Sequence, residues 1–155
     1  RAHQLRHDDA AATRHFELAT RGSSQPASAL YYNDQPPDLI FYRGLALRAL
    51  GREAEAHQVF ETLADYGRAH ANDSVTFDYF AVSLPDFLVF DDDLTLRNRI
   101  HCDYMLGLGL LGLGQGTAAA AQFERVLDAD ASHQGAHHHL AFCQTAAPVS
   151  LGVIL

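Results

Sequence analysis

Three segments of this chain share one pattern, and that pattern limits the fold more than any other feature. HDDAAATRHFELAT (7–20), GREAEAHQVFETLA (51–64) and GQGTAAAAQFERVL (114–127) each run from a short break through an Ala-rich stretch to an aromatic followed by Glu. Aligned on Phe16, Phe60 and Phe123, they carry Ala12, Ala56 and Ala119 four residues earlier, and His7, Gly51 and Gly114 nine earlier. Sixteen residues before the Phe of the last two stand Gly44 and Gly107.

Such a set describes a helix, a turn and a second helix. A small residue midway along the first helix and an Ala in the second let two backbones approach closely. The Phe one turn beyond that Ala then fills the space between one hairpin and the next. Gly51 and Gly114 supply the left-handed residue that ends the first helix. Apolar spacing agrees, since Ile40, Phe41, Gly44, Leu45, Leu47 and Leu50 follow the stripe of an amphipathic helix, as do Val59, Phe60, Leu63 and Ala64.

The pattern resembles the tetratricopeptide repeat, which has a small residue at its eighth position, Gly at the fifteenth, Ala at the twentieth and an aromatic at the twenty-fourth. Gly44, Gly51, Ala56 and Phe60 match in one unit, and Gly107, Gly114, Ala119 and Phe123 in the next. Leu47 and Leu110 replace the usual aromatic at the eleventh position, and Ala131 replaces the closing Pro. Phe16 and Phe60 lie 44 residues apart and Phe60 and Phe123 lie 63 apart, against about 34 in an uninterrupted array. Insertions of roughly 10 and 29 residues therefore interrupt the array.

The resemblance implies an all-α fold, a right-handed superhelix of antiparallel helical hairpins. One domain over 1–155 is divided into a half-unit (1–21), a connector (22–36), a unit (37–71), an insertion (72–91), a second unit (92–130), and a final helix near 134–144 with its tail (131–155). A second similarity covers YYNDQPPDLIFYRGLALRALGR, DYFAVSLPDFLVFDDDL and RNRIHCDYMLGLGLLGLG. These strings look like the carboxy-terminal helical region of large bacterial proteins whose preceding domain is β-rich and carbohydrate-enzyme-like. The chain opens on Arg in what reads as mid-helix, so it is expected to be a piece of a longer protein.

GLGLLG, with Gly107, Gly109 and Gly112, has the spacing of a dinucleotide-binding fingerprint. That fingerprint needs a strand before its first Gly and an acidic residue about 20 positions on, within a βαβ unit. What precedes Gly107 is instead a helical run, RNRIHCDYML, introduced by the N-cap-like DDD at 91–93. Gly109 and Gly112 each cost a helix up to about 1 kcal/mol against Ala, so they need a reason such as tight packing or a facing ligand.

Composition narrows the function classes. The formal charge of −8, with 11 scattered Lys and Arg, argues against a nucleic-acid surface. No apolar run is long enough to span a membrane, and the expected location is cytoplasmic. Cys102 and Cys143 read as reduced, buried small hydrophobes. Of the ten histidines, His133 and His137, and His139 with Cys143, share helix faces. No complete ligand set is nominated, so neither a metal nor a cofactor is expected. Asp78, Asp86, Asp91, Asp92 and Asp93 could suggest paired-acid chemistry, but a helix start preferring carboxylates explains DDD as well. Phe77, Tyr79, Phe80, Phe87, Leu88, Val89 and Phe90 make the insertion unusually apolar, and Tyr31 and Tyr32 read as pinning the connector to the helices. The closing APVSLGVIL reads as a tail folded back over the last hairpin or a stub.

No catalytic signature appears, so a non-catalytic interaction or scaffolding module is expected. Its partner would be a protein or peptide, or another domain of the same polypeptide, with self-association left open. The alternative is the accessory part of a carbohydrate-active enzyme. Family-type groove positions fall on Asp38, Phe41, Leu45 and Arg48, then His101, Tyr104, Leu108 and Leu111. Phe41, Leu45, Arg48, His101, Tyr104 and Leu108 form the candidate partner groove, with Phe41, Arg48, His101 and Tyr104 expected to be accessible at one end.

Overall fold

Two short breaks, LGR at 50–52 and LGQ at 113–115, decide how this chain turns. In a computed structural model, which describes residues 8–28, 36–75 and 93–144, Gly51 and Gly114 adopt φ of 75° and 78°. Only Gly takes that conformation without steric cost. The same pair of bonds closes both turns. Gly51 N–H donates to the Arg48 carbonyl and Arg52 N–H to that of Leu47, while Gly114 N–H donates to Leu111 and Gln115 N–H to Leu110.

Six helices and no strand are present among the described residues: α1 (Asp9–Ala19), α2 (Pro37–Ala49), α3 (Glu53–His70), α4 (Leu94–Gly112), α5 (Gly116–Ala129) and α6 (Gln134–Gln144). Local signals set their starts. Asp8 and Asp93 accept from the N–H groups of Ala11 and Leu96 at 3.1 and 3.0 Å, capping α1 and α4. Pro37 opens α2 at a position where a missing N–H is harmless. The first turn of α3 carries Glu53 and Glu55 and its last carries Arg68 and His70, both favourable to the helix dipole.

Each helix packs mainly on its neighbour in sequence, and α2 also meets α4. The α3–α4 interface is the most extensive. Its closeness rests on glycine. A Cβ at Gly109 would stand 2.6 Å from both the Ala64 nitrogen and the Phe60 carbonyl oxygen, and one at Gly67 would stand 2.5 Å from the Cys102 carbonyl oxygen. Gly112 lies directly on the Phe60 ring. The two backbones therefore meet almost without intervening side chains, which puts many dispersion contacts in place of the helix propensity that Gly forfeits.

Phe60 and Phe123 are fully buried, as are Ala56 and Ala119. Phe60 fills the hollow at Gly44 and Phe123 the hollow at Gly107, so a Gly seats its Phe in both hairpins. The core is one continuous cluster from Ile40 and Phe41 through Leu63 and Met105 to Val126 and Ala136. Its capping detail is polar: Asn98 Nδ2 donates to the His70 carbonyl at 2.8 Å, closing the end of α3. Expectations for Tyr31, Tyr32, the aromatics at 77–90, Asp78, Asp86, Asp91, Asp92 and the closing APVSLGVIL lie outside the described residues. No helix among the described residues is long and apolar enough to cross a membrane.

Candidate functional site

The first helices of the two hairpins, α2 and α4, carry all six residues of the expected groove. Phe41 is 0% exposed, Leu45 3%, Tyr104 5% and Leu108 0%. This corrects the expectation that Phe41 and Tyr104 are accessible: both are core residues here. Arg48 and His101 keep partial exposure, but each is already engaged. Arg48 Nη2 donates to the Gly112 carbonyl at 2.7 Å, its Nε faces Glu53 at 3.4 Å, and its guanidinium lies 4.9 Å above the Phe60 ring. It clamps α2 to the end of α4. His101 Nε2 donates to the Ala27 carbonyl at 2.8 Å, holding the connector against α4.

What covers Phe41 and Tyr104 is α6. His139, itself buried, places its ring 5.3 Å from Phe41, 5.8 Å from Tyr42 and from Tyr104, and 6.0 Å from Phe123. Gly135 rests on the Tyr104 ring and hydroxyl, so that an added Cβ there would force the tyrosine to shift. His139 thus joins side chains from α2, α4 and α5 at one point.

The hydrogen bonds assign its tautomer. Nδ1 lies 2.7 Å from the Gly135 carbonyl, which can only accept, so Nδ1 carries the proton. Nε2 then accepts from the Tyr42 hydroxyl at 3.3 Å, and the Tyr104 oxygen sits 3.0 Å from Nδ1. Burial pushes the His139 pKa down to about 4, outweighing the Gly135 bond that favours the cation. Burial also raises the phenols of Tyr104 and Tyr42, with Asp38 adding in the same direction. His139 is therefore neutral at pH 7, and both its ring nitrogens are engaged within the chain.

The other singled-out residues separate into structural roles. His133 Nδ1 accepts from the Ala136 N–H and His137 Nε2 donates to the Ala131 carbonyl, so the His133/His137 pair is turned to its own backbone. Among the described residues no group of three or more His, Cys, Asp or Glu is placed to hold a metal ion. Burial, followed by Asp73 and Asp103, pushes the Cys102 thiol up to about 11, so it is no thiolate at neutral pH. Gly107, Gly109 and Gly112 lie inside α4 and serve its contacts with Phe123, Ala64 and Phe60.

Sequence reading left the histidine-rich final helix as either solvated or partly packed and did not single out His139 as a buried hub. It also missed Asp103, which is buried and paired with Arg125 at 3.4 Å. That pair forms one wall of a cavity of about 330 Å³ with Leu96, Arg99, Ile100 and Asp128. One signal for His139 was available: Ala136, His139 and Cys143 continue an i, i+3, i+7 stripe along α6. No family model matches the chain, and no solved structure matches it at a significant level.

Proposed function

We propose that this chain is a non-catalytic interaction module built of tetratricopeptide-like hairpins, whose partner is a protein or peptide or another domain of the same polypeptide. The observation that carries the reading is the equivalence of its two hairpins. Gly51 and Gly114 turn them with the same bonds, and Gly44 and Gly107 seat Phe60 and Phe123 in the same way. Hairpins stacked on this plan present an extended face formed by successive first helices, and such faces bind elongated partners. The polar hub supports the same reading, because a buried neutral histidine with both nitrogens engaged is suited to orienting helices rather than to handling a substrate.

The test is site-specific photo-crosslinking from Leu39 and Leu96, large apolar residues 54% and 43% exposed, in the native host. The expected result is one discrete partner protein or domain that also binds the purified chain saturably. Diffuse cross-links, with no component that binds on reconstitution, would remove the interaction reading.

A further inference from the structure

Helix α6 covers Phe41 and Tyr104, yet it is anchored far more lightly than the α3 and α4 it sits beside, as is α1, which buries only Ala11 and Ala12. Only Ala136 and His139 of its eleven residues are fully buried, while Leu140, Phe142 and Cys143 are partly so. By contrast α3 buries Ala56, Val59, Phe60, Leu63, Ala64 and Gly67, and α4 buries eleven residues. Helix α6 packs chiefly on α5 and only thinly on α4. Its hydrogen bonds to α2 and α4 run through one imidazole, bonded to Tyr42 and edge-on to Phe41 on α2 and bonded to Tyr104 on α4, with Gly135 resting on the same Tyr104 ring. An extended residue, Asp130 (φ −140°, ψ 92°), and a turn at Ala131 and Ser132 join it to α5.

We infer that α6 is a detachable latch, an intramolecular occupant of the face formed by α2 and α4, and that its release uncovers Phe41 and Tyr104 for a partner helix of the same kind. The inference rests on the interaction reading above. Elements with few buried apolar contacts open at lower free energy than the core that carries them, and α6 is such an element. Its own seating describes what the face accepts: a small residue against Tyr104, as Gly135 is, and one turn later a neutral ring that both accepts from Tyr42 and fills the gap beside Phe41. A partner helix carrying those groups would compete with α6 at its local concentration, which a short tether holds in the millimolar range. Release and capture are then coupled, since the partner gains only when α6 is out.

Native-state hydrogen exchange on the full chain tests the latch directly. Amides of 136–142 should exchange through their own opening, at least about 100-fold faster than those of α3 and α4, an excess that converts to about 3 kcal/mol at 1.4 kcal/mol per tenfold. Equal protection across α3, α4 and α6 would mean that α6 leaves only on global unfolding, and would overturn the inference. The partner arm uses a synthetic peptide of residues 131–144. It should bind the full-length Gly135→Val chain, where the new side chain meets the Tyr104 hydroxyl, at least tenfold more tightly than wild type. His139→Asp, which places a charge in the face instead, should behave likewise. If α6 is released in either variant and the peptide still fails to bind, the face does not accept a helix and the proposal falls. Both failures leave the cross-linking result of the interaction reading untouched.

Discussion

The Tyr104 hydroxyl and Nδ1 of His139 lie 3.0 Å apart, although 35 residues separate them in the chain. That contact and the Tyr42 bond tie the last described helix to both earlier hairpins, and the Tyr42 hydroxyl can donate to Nε2 only while the imidazole is neutral.

The pH dependence follows from burial. The unfolded chain binds a proton at His139 near pH 6.5, whereas the folded chain resists it down to about pH 4. The folded-state value is the lower one, so this contribution is complete above pH 6.5 and is lost as pH falls from 6.5 toward 4. Its size is about 3 kcal/mol at about 1.4 kcal/mol per unit. The Gly135 carbonyl and Asp38 work against this shift, His138 and His133 add to it, and Tyr42 and Tyr104 face the ring as neutral hydroxyls. Urea midpoints at pH 7 and pH 4.5 should differ clearly for wild type and much less for His139→Gln. Equal pH slopes would show that His139 titrates normally.

Two glycines of similar chemistry should respond oppositely to Ala. At Gly109 a Cβ meets backbone atoms of Ala64 and Phe60 at 2.6 Å, so the helices must part, at about 1–3 kcal/mol. Gly116, the first residue of α5, faces open space. Gly116→Ala should be neutral or stabilise by up to about 1 kcal/mol through helix propensity and a stiffer unfolded chain. Denaturation midpoints of the two single variants check both signs.

Gly51→Ala and Gly114→Ala should each cost about 1–2 kcal/mol, because an L residue with a side chain pays that for the left-handed conformation. Neither site has an atom within 4 Å of the added Cβ, so the penalty is purely backbone and should be alike in the two turns. Thermal or chemical unfolding measures it. A twofold disparity would mean that the turns are not equivalent.

Arg48→Gln removes a donor to the Gly112 carbonyl and a cation from the face of Phe60. The expected loss is about 1–3 kcal/mol. Arg48→Lys should recover only part of it, since an ammonium cannot cover the ring and reach the carbonyl with a planar fork. A double-mutant cycle with Phe60→Leu would isolate the ring contribution as a coupling energy.

Much of the helical framework is visible in sequence because it depends on local rules. Gly51, Gly114, Asp93 and Pro37 mark ends by backbone conformation, capping or a missing donor, and none of these needs a neighbour. The stripe Val59, Phe60, Leu63, Ala64 likewise names its own buried face. The groove was misjudged for a different reason. Whether Phe41 and Tyr104 face solvent depends on where α6 lies, which is a matter of tertiary packing nearly a hundred residues after Phe41. His139 stayed hidden because nothing local tells it from its neighbours His137 and His138, and the Gly135 carbonyl together with Tyr42 and Tyr104 makes its burial tolerable.

Helix α4 carries Gly107, Gly109 and Gly112 within its last six residues, where intrinsic preference is poorest. Isolated from its neighbours, that last third would have little intrinsic reason to coil, and packing against a template helix is what favours it as helix. The template, α3, emerges first during synthesis, and Phe60 and Ala64 are waiting when the glycines arrive. Cooperativity in this chain therefore has a direction: shortening it from the far end spares the template, whereas removing α2 and α3 takes away what favours the end of α4 as helix.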